Sequence, residues 1–158
     1  MKLTNGEISI ARNPIQALLK TKLPVKTSWA LARLAVKLND PLDALDKVRK
    51  GLFDTYGMPN PQSPTQLFCP PVIEKKDENG KLAKDEAGNP VMIPNPKFSK
   101  FNAEMNDLMA QEMELVFDVI ELPEKVAATC DKCGHNMDRA LEIEPEHLMA
   151  LRKFVKIK

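Results

Sequence analysis

Two stretches of the chain hold residue types that could do chemistry. The first is Cys130-Asp131-Lys132-Cys133-Gly134-His135. Thiolates at C-x-x-C spacing let one tight turn aim both sulfurs at a single metal ion, and the following glycine permits a positive φ. This is half of a tetrahedral zinc set. His135, Cys69 and His147 are the available further ligands, and two copies of the chain would also supply four thiolates between them. The same residues read equally as free thiols on an exposed loop. A redox dithiol is a third reading, but it belongs at a helix start after a strand, and that context is missing here. Zinc at this place would be structural, because a catalytic zinc needs an open position and a nearby general base.

The second stretch is Lys22-Leu23-Pro24-Val25-Lys26-Thr27-Ser28. It reads as a turn feeding a helix that starts at Thr27 or Ser28. Backbone N–H donors at a helix start, the positive dipole end and two ammonium groups favour a phosphate or carboxylate. Arg33, one to two turns on, adds a cation on the same side. A hydroxyl at a helix start also serves simply as a cap. The glycines of a Walker A loop are absent.

No catalytic constellation accompanies these stretches, and the expectation is a protein that is not an enzyme. Asp40, Asp43, Asp46 and Asp54 fall on the polar face of a helix, where carboxylates are solvated. Met105, Met109 and Met113 keep helical spacing and read as core. Trp29 reads as core or interface.

Composition bounds the rest. The 158 residues suffice for one domain with a core. The formal net charge of +1 gives no global attraction to nucleic acid or an anionic membrane. No apolar run approaches the roughly 18 residues of a membrane helix, and Met1 to Ile10 lacks the apolar core of a signal peptide. Three cysteines do not make a disulfide framework, so a reducing cytoplasmic setting is expected. The 13 prolines crowd between Pro59 and Pro96 and mark a loop-rich middle. No internal repeat is evident.

The elements follow from periodicity. Thr4-Asn5-Gly6-Glu7 is a capping box ahead of a stripe at Ile8, Ala11, Ile15, Leu18 and Leu19, with a kink or restart predicted at Pro14. Leu31, Leu34, Leu38, Leu42, Leu45, Val48 and Leu52 form one stripe of a long second helix. The stripe keeps phase across Pro41, so one kinked helix is predicted, ending at Gly57. The two helices form an antiparallel hairpin over residues 1–57. Residues 58–95 are a Pro-rich extended connection and a β-hairpin arm, in which Val72-Ile73 faces Val91-Met92-Ile93 across a solvated tip. In residues 96–158 a third helix runs from Pro96 to Met113, and a strand continues to Ile120. Short strands at Leu141–Ile143 and Phe154–Ile157 flank a short helix from Pro145 to Leu151. These three strands are predicted to pair in a small antiparallel sheet. The class is α+β, in a single domain.

LTNGEI near the start, KLPVKTSWALARL at the helix entry, LPEKVAATCDKCGHNM and IEPEHLMAL together resemble a group of small proteins encoded by phages and prophages. The similarity covers both ends of the chain, and the arm between about Val72 and Ile93 is its variable part. The resemblance implies a phage gene product acting in the host cytoplasm. It carries no catalytic residue onto this chain.

Two functions remain in view. One is a non-enzymatic anti-defence protein that sequesters an anionic, nucleotide-type host signal in an oligomer. Lys22, Lys26, Thr27, Ser28 and Arg33 would make its contacts. The other is a phage structural or assembly protein that binds a phage or host protein through the long helix and the arm. A homo-oligomer is expected for both, because the leucine seam is too long for the short helix Ile8 to Leu19 alone, with the helix Phe98 to Met109 as the alternative cover for the remainder. Structural zinc is the only cofactor expected. Nucleic acid is disfavoured by the neutral charge and the lack of a helix-turn-helix.

Overall fold

The computed structural model of the protein describes residues 1–77, 80–129 and 133–158. Among the described residues the chain forms four α-helices and ten short strands, an α+β fold. The strands pair two by two into five ribbons. The chain divides into two compact units, Met1–Leu45 with Ala110–Lys158, and Asp46–Met109.

In the first unit, β1 (Lys2–Thr4) leads directly into α1 (Asn5–Lys20). The capping box forms as the sequence requires. The Glu7 N–H donates to Thr4 Oγ1 at 3.1 Å, and the Thr4 N–H donates to Glu7 Oε2 at 3.1 Å. Pro14 lies inside α1 without ending it. Its ring is buried on the same face as Ile8, Ala11, Ile15 and Leu18, and this packing offsets the one helical bond a proline removes. Leu19, which the stripe included, is exposed.

The α2 helix (Val25–Tyr56) begins at Val25, two or three residues before the predicted start. Pro24 explains the shift. It has no N–H to leave unpaired, and its carbonyl accepts the Ser28 N–H at 2.9 Å as the first helical bond. The helix continues through Pro41. Leu31, Leu34, Leu38 and Leu42 join the α1 stripe in one core with Leu3, Ile120, Leu122, Leu151, Phe154 and Val155. The seam expected to need a second chain is therefore covered, as far as Leu45, within the chain itself.

The C-terminal strands differ from the prediction. The single strand from Met113 to Ile120 is two short ones. β6 (Glu112–Glu114) pairs antiparallel with β1, and β7 (Ile120–Leu122) pairs in parallel with β10 (Val155–Ile157). Between them the alternation survives without a ladder: Leu115 and Phe117 are half-buried, Val116 and Asp118 exposed. Phe117 stacks on Phe154 with ring centres 5.4 Å apart. Leu141–Ile143 is not a strand. The antiparallel ribbon of this region is instead β8 (Lys125–Thr129) with β9 (Asn136–Ala140), paired over five residues. Alternation reports which side chains face the core, not which backbone they pair with. α4 (Pro145–Leu151) starts on its proline and packs on α1.

In the second unit, the Gly57 N–H donates to Phe53 O at 2.8 Å and closes the last turn of α2. A β-carbon at Gly57 would collide with that carbonyl, so the chain can turn here only with glycine. The proline-rich connection is a ribbon rather than an irregular link: β2 (Met58–Asn60) pairs with β3 (Ser63–Phe68), with Pro59 opposite Leu67 and a register shift after it. Two-stranded ribbons consist only of edges, where prolines are tolerated. α3 (Phe98–Ala110) buries Phe101 and Leu108. Phe101 meets Phe53 and Tyr56 at centroid distances of 5.1 and 6.4 Å, and the Tyr56 hydroxyl donates to Glu104 Oε1 at 2.6 Å.

The arm has the predicted base, β4 (Val72–Glu74) against β5 (Met92–Pro94). Beyond the base it splits into two lobes. Lys75 N–H donates to Val91 O at 2.8 Å, Ala83 N–H to Lys75 O at 2.8 Å, and Val91 N–H to Ala83 O at 2.9 Å, closing a three-way junction. In one lobe the Asp77 N–H donates to Lys81 O and the Lys81 N–H to Asp77 Oδ1, both at 2.8 Å. In the other, Asp85 and Asn89 make the same two bonds at 2.9 and 2.8 Å. Gly80 and Gly88 take the corresponding positive φ angles of 76° and 85°. The chain thus carries an internal repeat of eight residues where none is evident from its pattern: Lys-Asp-Glu-x-Gly begins at Lys76 and again at Lys84. Only those residues keep the register, which hides the period among other polar residues.

Candidate functional site

The five residues of the expected anion site do not converge. Ser28 is committed to the turn: its N–H is the first helical donor, and its hydroxyl donates to Leu23 O at 3.2 Å. Thr27 is half-buried in the first turn, and Lys26 is exposed beside it. Lys22 lies before the helix and lines a groove of about 450 Å³ along the β8–β9 ribbon. Thr21, Thr129 and Arg139 share that groove. Arg139 already holds Glu142 through two bonds of 3.0 Å, so its guanidinium is largely neutralised. Arg33 lines a different cleft, with Lys37, Phe117 and Asp118. The sequence supplied the cations but not their facing, because a helix separates neighbours by 100° per residue.

Of the thiol stretch, Cys133 and His135 are described, just ahead of β9. Cys130 lies outside the described residues. Cys133 and His135 are exposed there. Cys69 belongs to the other unit and is half-buried, and burial pushes its thiol pKa up despite the Asn95 amide at 3.7 Å. His147 sits in α4, 3.7 Å from the Glu144 carboxylate. No group of three or more metal-ligating side chains forms among the described residues. No helix among them is long and apolar enough to cross a membrane.

Three features were not anticipated. A groove of about 370 Å³ beside α4 is walled mostly by apolar groups of Ile10, Met149, Ala150 and Phe154, with Glu7 and Lys153 at its edge. Asn95 is the buried polar residue at the root of the arm, and it joins the arm to α3. The outward face of α2 exposes Val25, Trp29 and Val36 by 85%, 67% and 68%. The signal for the last was present: these apolar residues recur at spacings of four and seven, offset from the leucine stripe.

No protein-family model, curated protein or solved structure matches the chain.

Proposed function

We propose that the protein is a non-enzymatic binding protein that works through contact with other protein chains, in the manner of an assembly factor. One observation carries this reading. The arm is tied together by its own backbone bonds, yet among its described residues the side chains are almost all exposed, including Val72, Leu82 and Met92. An ordered extension that contributes so little burial to its own core is suited to a partner, which gains a rigid surface without the entropy cost of ordering it. The resemblance to phage and prophage proteins favours a partner from the phage particle or its host.

The test removes the lobes and keeps the root. Replacing Lys76–Pro90 by Asn-Gly leaves Lys75 and Val91 joined by a two-residue turn. Both forms are purified from cells in which the protein acts. A protein recovered in fixed ratio with the full chain and lost from the shortened one supports the reading. An identical partner set for both forms overturns it.

Sequestration of a nucleotide-type anion is the second reading, favoured by Lys22 lining a groove along the β8–β9 ribbon. Native mass spectrometry separates the two. A nucleotide mass released on denaturation, and lost in Lys22→Ala, would support sequestration.

A further inference from the structure

The exposed stripe on α2 has a direction. At 100° per residue, Val25, Lys26, Trp29, Arg33, Val36, Asp40 and Asp43 fall within about 60° of Trp29, opposite the buried leucines. All seven are exposed. From Val25 to Asp43 the charges are sorted: Lys26 and Arg33 lie toward the N-terminal end, Asp40 and Asp43 toward the C-terminal end, and Lys47 follows on the same line beyond them. Trp29 and Val36 sit between them. When the face is reversed on itself, Lys26 meets Asp40.

We propose that this face of α2 pairs with the same face of a second copy, antiparallel, about a two-fold axis between Ala32 and Arg33. That axis is the midpoint of Trp29 and Val36, so each indole lies on the partner's Val36. It brings Lys26 level with the partner's Asn39 and Asp40, twice per dimer. Arg33 lies beside the axis, close to Arg33 of the second copy, so the two Lys26–Asp40 pairs must outweigh one like-charge contact. Closed two-fold pairing uses the face once and leaves no copy of it open to further growth. The inference does not depend on the arm having a partner.

The contact is modest. Val25 to Asp43 spans about 27 Å of helix, and one helix face of that length buries less than the roughly 800 Å² per partner of a standard interface. The dimer should therefore dissociate in the micromolar range rather than the nanomolar.

Sedimentation of the full chain across a concentration series tests this. Trp29→Ala should weaken the dimer by about tenfold or more, and folding can be checked by circular dichroism because Trp29 is two-thirds exposed. Charge exchange identifies the geometry. Lys26→Glu alone and Asp40→Lys alone each place like charges together and should each weaken self-association. Mixed together, the K26E and D40K chains set opposite charges against each other at both ends of the pairing, and a heterodimer should form. A wild-type chain that stays monomeric to about 0.5 mM, a dimer indifferent to Trp29→Ala, or a mixture no stronger than its components would overturn the proposal.

Discussion

Glu7 and Lys153 are 146 residues apart in sequence, and their charged ends meet at 2.6 Å. The same carboxylate completes the capping box of α1 through Thr4. One side chain therefore fixes the start of the first helix and fastens it to the turn after α4. The Lys153 bond, then the Thr4 N–H, hold the Glu7 carboxyl below the usual glutamate range, with Arg152 contributing a smaller attraction.

The sign of the pH effect follows. A carboxylate with a depressed pKa in the folded state stabilises fully above its unfolded value, about 4.3, and loses that contribution as pH falls through the folded value. Glu7→Gln keeps a capping-box side chain but removes the charge. It should cost about 0.5–1 kcal/mol at pH 7, since both partners are partly solvated, and less at pH 3. Urea midpoints of both proteins at the two pH values measure this. An equal cost at both would show that the charge is irrelevant.

The leucine stripe predicts a gradient along α2. Leu38→Ala removes a side chain from the common core and should cost about 2–5 kcal/mol. Val48→Ala, half exposed on the same stripe, should stay within about 1 kcal/mol. Comparable losses at the two sites in denaturant unfolding would contradict the burial seen here.

Both helices of the hairpin were legible because their evidence is local. Leucines three and four apart, a capping box and a terminal glycine all act within one or two turns. The strands were less so. The parallel pairing of β7 with β10 depends on α4 returning the chain to that place, which no window around Ile120 contains. Met58–Phe68 was obscured by prolines that weigh against a strand within a sheet but not against a two-stranded ribbon. The anion-site residues are split between clefts, Lys22 lining one and Arg33 another. Their types suited the chemistry, but Pro24 moved the helix start and drew Ser28 into the turn.

Asn95 is a polar residue placed where its groups have partners. Its side-chain amide donates to Pro70 O at 2.9 Å, its Oδ1 accepts the Lys97 N–H at 3.0 Å, and its own N–H donates to Pro71 O at 2.9 Å. Asn95→Ala leaves a carbonyl and an N–H without these bonds, which should cost about 1–3 kcal/mol. Asn95→Asp keeps the acceptor but sets a buried carboxylate oxygen against the Pro70 carbonyl, so it should cost at least as much. Cys69 reports the site directly: burial raises its thiol pKa and the Asn95 amide lowers it, so Asn95→Ala should slow its reaction with iodoacetamide further. An unchanged rate would separate the amide from the arm's root.

The two lobes of the arm make the same backbone bonds around the same kind of residue, so they should fail alike. Gly80 and Gly88 both occupy the left-handed region, where an alanine is strained by about 1–2 kcal/mol. Each substitution has open space around it, so the strain is the whole effect. Gly80→Ala should therefore accelerate exchange of the Lys81 amide, and Gly88→Ala that of the Asn89 amide, by about five- to thirtyfold. Asp77→Ala and Asp85→Ala remove the carboxylates that accept those amides and should act in the same direction. The global unfolding midpoint should hardly move in any of the four, because the lobes bury little. Exchange measured residue by residue decides it. If one lobe loosens and the other does not, the eight-residue repeat is a likeness of sequence and not of structure.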